Sequence, residues 1–405
     1  MPLVPVFLRM SPGLAFFAML AVAVSGFGQT FFISVFGEEI RTDFGLSHTA
    51  YGTLYSLATI VSAIMLFRWG RLADTWSLPK ATVLAVAVLA LGCLFMGMSG
   101  GALLLWTGFL LIRFGGQGLI SHLGLTTAAR FFPGHRGKAV AFAAAGFPLA
   151  EAVLPPAGVL LAGLGDWRIP WLLSAAVLLV CILPLIGFLS RSAPVLHKDK
   201  EGDQKKAVQG NYTREEVLRD PGFYFLLPAA VASPFMITAL LFHQAAIASI
   251  QGWPMQAVGL AFSGYAAGHL GALAGAGTLV DRFSAAGILP FSVLPMALAL
   301  MILAAGDGLW VIYVYLFLMG ITHGLASTAT GALWAERYGI LHLGSIRAMA
   351  QSAVVLSTAA SPLFFGFLLD MHISLGLIAG ALCGSTLAAA VMAGIAPDPV
   401  IRNSR

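Results

Sequence analysis

Two formal charges stand deep inside apolar runs of this chain, Arg113 and Glu151. Each sits near the middle of its run, which in a bilayer would be the midplane. An ionisable side chain at that depth costs about 2.5–3.5 kcal/mol, so it has a task or a partner. Arg113 opens Arg113-Phe114-Gly115-Gly116-Gln117-Gly118. It either binds an anion or tunes a nearby acid, or it is satisfied by backbone carbonyls of the first helix. Glu151 lies between Pro148 and Pro155-Pro156. Prolines free helix carbonyls and bend the rod. Burial raises a carboxyl pKa and a nearby Arg lowers it. A carboxyl held between the two can load and release a proton; the alternative is a static ion pair with Arg113. His122, His243, His269 and His323 also fall within spans. Imidazoles titrate near neutral pH and can join a proton route. None lies at i, i+4 from another ligand, so no metal site is expected.

The elements that carry these residues follow from composition. The chain is 59% hydrophobic and 10% charged, with a mean hydropathy of +0.90. Soluble chains carry about 25% charged residues, so the solvent here is mostly lipid. Twelve segments are long enough to span a bilayer: Leu14–Gly37, Thr49–Trp69, Ala81–Gly100, Ala102–Ala129, Ala139–Ala162 and Ile169–Ser190, then Gly222–Ile250, Ala257–Val280, Ala285–Ala305, Leu309–Trp334, Ile346–Leu369 and Ile373–Ala396. The first is too long for a signal-peptide core and reads as an uncleaved helix. With both termini on one face, 19 of the 22 Lys and Arg fall on that face. Arg41 and Arg168 fall on the other, and Arg113 lies within a span. The positive-inside rule then places both termini in the cytoplasm, in a multi-pass protein of the cytoplasmic (inner) membrane. The basic excess is a topology signal and implies no nucleic-acid partner.

The long polar stretch 191–220 links two halves, 1–190 and 221–405. Thr213-Arg214-Glu215-Glu216 fits a capping box, so a short helix should lead into the seventh span. Cys93, Cys181 and Cys383 are scattered through apolar runs and read as buried packing residues without disulfides.

Gly70-Arg71-Leu72-Ala73-Asp74 returns half a chain-length later as Gly277-Thr278-Leu279-Val280-Asp281. Arg130 and Arg337 stand at the same offset, and Ile120-Ser121-His122 echoes Ile321-Thr322-His323 at a slightly different one. The chain therefore reads as two copies of one membrane unit. Six spans, a cytoplasmic linker, six spans and a shared loop motif resemble the Major Facilitator Superfamily. The resemblance implies an all-α integral membrane protein with 12 helices in two pseudo-symmetric six-helix bundles. The family's loop signature, G-x-L-x-D-R-x-G-R-[RK], is matched over its first five positions by Gly70–Asp74. The following Arg and second Gly are missing there, whereas the second copy keeps Asp281-Arg282. In the family these acids brace a cytoplasmic gate against helix N-termini of the opposite half. The expected gate residues are Gly70, Asp74, Arg136, Gly277, Asp281, Arg282 and Arg347. Asp74 would face the eleventh helix near Arg347, and Asp281 the fifth near Arg136 and Lys138.

The string around Arg113 resembles the family's fourth-helix motif, an Arg followed by spaced glycines. His243 in the seventh helix and His269 in the eighth lie on helices that line the family's cavity, and His323 joins them as a candidate. Gln29, Gln117 and Gln351 would add amides; Phe31 and Phe32 would add an aromatic wall. Arg130-Phe131-Phe132-Pro133, Arg136-Gly137-Lys138-Ala139, Gly146, Pro155 and Trp167-Arg168 resemble the branch of monocarboxylate porters and oxalate–formate exchangers. The implied substrate is a small organic anion, moved with a proton or by exchange. Two departures keep a neutral or zwitterionic solute open: helix eight carries no Arg, and the acidic-Gly-aromatic signature of helix one is missing. Drug or metabolite efflux by proton antiport is the competing transport reading, although its Gly-Pro and Gly-Gly pattern is missing from Glu151–Gly158. A non-transporting sensor with this fold would normally add a soluble signalling domain. No enzyme motif and no cofactor motif occur. The expected protein is a proton-coupled secondary transporter working as a monomer, with Glu151 as proton carrier.

Overall fold

The computed structural model describes residues 11–69, 76–132, 135–191 and 212–399. Helices dominate because a lipid-embedded backbone must satisfy its own hydrogen bonds. Eleven of the described helices are long and apolar enough to cross a membrane, and a bent pair supplies a twelfth. They are α1 (Pro12–Gly28 continued by Thr30–Asp43), α2 (His48–Trp69), α3 (Leu78–Gly97), α4 (Ala102–Phe131), α5 (Arg136–Ala162), α6 (Arg168–Ser190), α7 (Pro221–Phe242), α8 (Met255–Phe283), α9 (Ala285–Ala305), α10 (Trp310–Tyr338), α11 (Leu343–Asp370) and α12 (Leu375–Gly394). Large apolar side chains such as Phe67, Leu160 and Phe188 point outward, as a lipid solvent allows.

Several helices depart from regular winding, among them α1, α4 and α7, and α6 widens to a π-helix over Leu178–Ile182. α1 tightens to a 3₁₀ turn over Ser25–Gly28, extends at Gln29, and bends by 42°. Gly26 and Gly28 lie in that turn, where glycine weakens the helix. α4 widens to a π-helix over Arg113–Ile120. α7 pauses at His243 and resumes as Gln244–Gln251, ending on Gly252 in the left-handed region. The expected capping box forms: Glu216 accepts from the Thr213 backbone N–H at 2.8 Å, while Thr213 accepts from the Glu216 N–H. Cys93 and Cys383 are buried, but Cys181 is exposed on α6, because that face of a span looks toward lipid rather than a neighbouring helix.

By contacts the described chain forms two compact units. The first comprises residues within 1–194 together with 239–266 and 362–372; the second comprises 195–238, 267–361 and 373–405. The first unit packs Leu14, Ala18 and Val22 of α1 against Ala128 of α4 and Ala139 and Ala143 of α5. The second has a core of Phe223, Leu226, Leu289, Leu333, Trp334 and Ile346. There Asp220, ahead of α7, is buried against Arg337 at the end of α10 at 3.2 Å and accepts from Tyr338 Oη at 2.6 Å. Arg337 also donates to the Pro397 carbonyl, so one ion pair ties α7, α10 and the chain after α12 together.

Candidate functional site

The first unit gathers its buried polar groups where α1 breaks. Glycines let α1 and α4 touch by backbone: a Cβ on Gly116 would lie 2.8 Å from the Gly28 Cα. This approach brings Arg113 Nη1 within 3.2 Å of the Gly28 carbonyl. The guanidinium lies 5.0 Å above the Tyr55 ring, and Tyr55 Oη shares a 2.7 Å hydrogen bond with Thr30 Oγ1 just past the break. Arg113 is 1% exposed, its Nε has no partner, and it makes no ion pair among the described residues. A cation in this setting has one carbonyl and one π-face in place of its hydration shell. Its remaining donors can accept an anion without first releasing a carboxylate.

Glu151 is equally buried, in α5. Tyr265 of α8 lies within its electrostatic reach. Pro156 removes the helical donor to the Ala152 carbonyl, and Ser263 Oγ of α8 supplies one at 3.4 Å. No ion pair joins Arg113 to Glu151 among the described residues. Gln29 is half-buried at the α1 break, whereas Gln117 and Gln351 are exposed. Phe32 packs edge-on against Trp171 and Phe36, so it belongs to the core of its bundle.

The histidines separate. His243 is buried in the first unit, its Nε2 2.8 Å from the Pro362 carbonyl and its ring stacked on Phe365. His269 and His323 stack on each other in the second unit, with ring centroids 4.0 Å apart and planes 22° apart. His122 is exposed on α4. Of the expected gate residues, Gly70 and Asp74 lie outside the described residues. Arg136 is exposed at the start of α5. Gly277, Asp281 and Arg282 are exposed at the end of α8, with Arg282 over the Phe283 ring at 5.1 Å. Arg347 donates to the Gly331 carbonyl of α10, inside its own unit.

Sequence reading missed Tyr55, Glu336 and Asp370. Tyr55 follows Tyr51 at i, i+4 on one face of α2, and that spacing was a usable signal. Glu336 caps α9 through the Ala285 N–H at 2.7 Å. Asp370 accepts from two backbone donors of α2. No local pattern announces either acid, since each partner is remote in sequence.

Comparisons with known proteins agree with this architecture. The model of the Major Facilitator Superfamily matches residues 18–254. An oxalate:formate antiporter from Oxalobacter formigenes is 25% identical over 226 residues, 53% of this chain and 50% of the relative. The match thus spans about half the length of that curated relative. Among solved structures, an inward-facing, unoccupied bacterial homologue of the human lysosomal transporter Spinster aligns with a TM-score of 0.70 at 18% identity, covering 95% of this chain and 94% of that one. The nucleoside transporter NupG aligns with a TM-score of 0.67 at 13% identity, covering 94% and 98%. At these identities the structural likenesses speak to fold alone.

Proposed function

This chain belongs to the Major Facilitator Superfamily, and we propose that it moves a small organic anion across the cytoplasmic membrane by proton-coupled alternating access. The superfamily and the apolar spans mark it as a membrane transporter. The observation that carries the anion is Arg113, a buried cation with no carboxylate counter-charge among the described residues and an unpartnered Nε beside the α1 break. A carboxylate or formate-sized anion would complete its shell with charge-assisted bonds. The partial likeness to an oxalate:formate antiporter favours the same class. In this reading Glu151 carries the proton, and Gln29, Gln117, His243, His269 and His323 are further solute or proton contacts. The halves 1–190 and 221–405 alternate about the linker 191–220. Gly70, Asp74, Arg136, Gly277, Asp281, Arg282 and Arg347 close the cytoplasmic end. The positive-inside bias supports cytoplasmic termini, and one chain suffices as the working unit.

Counterflow in proteoliposomes tests the reading. Labelled oxalate, formate and short monocarboxylates should exchange, and Arg113→Gln should lower exchange at least about tenfold, the scale of one lost charged hydrogen bond. Undiminished exchange in Arg113→Gln would remove the anchor. Binding of an acid without any flux would favour a sensor.

A further inference from the structure

A carboxylate-to-helix contact of the kind expected of Asp74 occurs in the first unit at Asp370, with the two helices exchanging roles. Asp370 ends α11, and its two oxygens accept from the first N–H groups of α2: Oδ1 from His48 at 3.0 Å and Oδ2 from Thr49 at 2.8 Å. Ser47 Oγ accepts from the Ala50 N–H at 3.2 Å, so two side chains divide three donors that no helix can satisfy internally. The positive end of the α2 dipole favours a carboxylate there.

The contact continues along one face of α11, where Pro362, Gly366 and Asp370 recur at i, i+4 and i+8. A Cβ on Gly366 would lie 2.5 Å from the His48 carbonyl oxygen, and one on Gly52 would lie 2.5 Å from the Pro362 carbonyl oxygen. Backbone therefore meets backbone. From α7, His243 bonds the Pro362 carbonyl, and Phe242 stacks on Tyr51 at 4.6 Å and tilts against Tyr55 at 4.4 Å. Tyr55 is the ring beneath Arg113. A continuous run of contacts thus leads from half-buried Asp370 through α2 and Phe242 to the buried guanidinium.

We propose that Asp370 is the latch of a gate formed by the start of α2 and the ends of α7 and α11, closing the route to Arg113 from the membrane face where α2 begins. The importance of that route rests on reading Arg113 as the solute site. The latch itself does not. Carboxylate loss frees the α2 donors to bind water, the glycine contacts part, and Phe242 leaves the two tyrosines.

The test uses the full chain with its three native cysteines replaced by serine and Ser56→Cys added. Ser56 is buried one residue beyond Tyr55. A membrane-impermeant maleimide is applied to the face where α2 begins. Labelling should be slow with Asp370 in place and about fivefold to tenfold faster in Asp370→Asn and Asp370→Ala, the range set by one charge at a partly buried helix N-terminus. Gly366→Ala, a wedge in the same seam, should also accelerate it. Size-exclusion profiles and melting curves select folded protein for the comparison. Equal labelling rates in folded Asp370→Ala, Asp370→Asn and parent would overturn the latch. Because labelling needs no solute, failed anion exchange with accelerated labelling would reject the transport reading alone.

Discussion

Arg113 replaces its lost hydration with one carbonyl of α1 and the face of Tyr55. Burying a cation so sparingly costs several kcal/mol, and a bound anion offsets that cost only while it is present. For Glu151 we propose a different task at the same scale. Neutralising it with a side chain of equal shape should separate coupling from binding. In Glu151→Gln, solute exchange should persist within about twofold, while accumulation driven by a pH gradient should fall at least tenfold. Proteoliposomes carrying an imposed gradient provide the measurement, and undiminished accumulation would remove Glu151 as proton carrier. Both charges were legible in the sequence because a charge in an apolar run stands out. The spacing of Tyr51 and Tyr55 marked only a shared helix face; the importance of Tyr55 comes from the Arg113 and Thr30 groups it meets.

The element that places Arg113 is the crossing of α1 and α4, and glycine decides how close it is. Gly116 meets the Gly28 backbone, so moving the nearby Leu89 side chain alone cannot make room for an added methyl. Gly118 has Leu66 at 3.4 Å, an ordinary contact with a movable side chain. Gly116→Ala should therefore destabilise the protein by about 1–3 kcal/mol, whereas Gly118→Ala should be nearly neutral. Melting temperatures in detergent compare the two; equal losses would show that the crossing is not the tight point. Spaced glycines in the sequence announced a close helix neighbour, and first-helix carbonyls were one of the readings for Arg113; only the structure places the contact at Gly28. The 3₁₀ turn and the extended Gln29 were not foreseen either, although Ser25-Gly26-Phe27-Gly28-Gln29-Thr30 interrupts the apolar run there. Hydropathy reports depth in the membrane and carries no record of how the backbone winds.

Across the whole molecule, charge bias sets orientation. Asp166 lies in the loop before α6, and Arg214 begins the short helix before α7. Both are exposed. In intact cells an Asp166→Cys variant should react with an impermeant maleimide, and an Arg214→Cys variant only after permeabilisation. The reverse pattern would invert the topology and place the Asp370 latch on the cytoplasmic face. The superfamily's solved structures share this fold with little sequence identity, so the twelve-span plan constrains solute identity far less than the groups around Arg113 do.

Span number, approximate span ends and the linker helix were set by the sequence itself. A bilayer selects helices by the apolar content of a contiguous window, and a capping box closes within four residues. Repetition of Gly-x-Leu-x-Asp carried the fold for the same reason, being read locally twice. Meetings between distant groups were decided by tertiary structure alone. Asp370 and His48 are 322 positions apart, Arg113 and Gly28 are 85, and Asp220 and Tyr338 are 118. No window of sequence spans such distances. Packing of whole helices brings these groups together, and among the described residues it places a carboxylate-on-helix contact at Asp370.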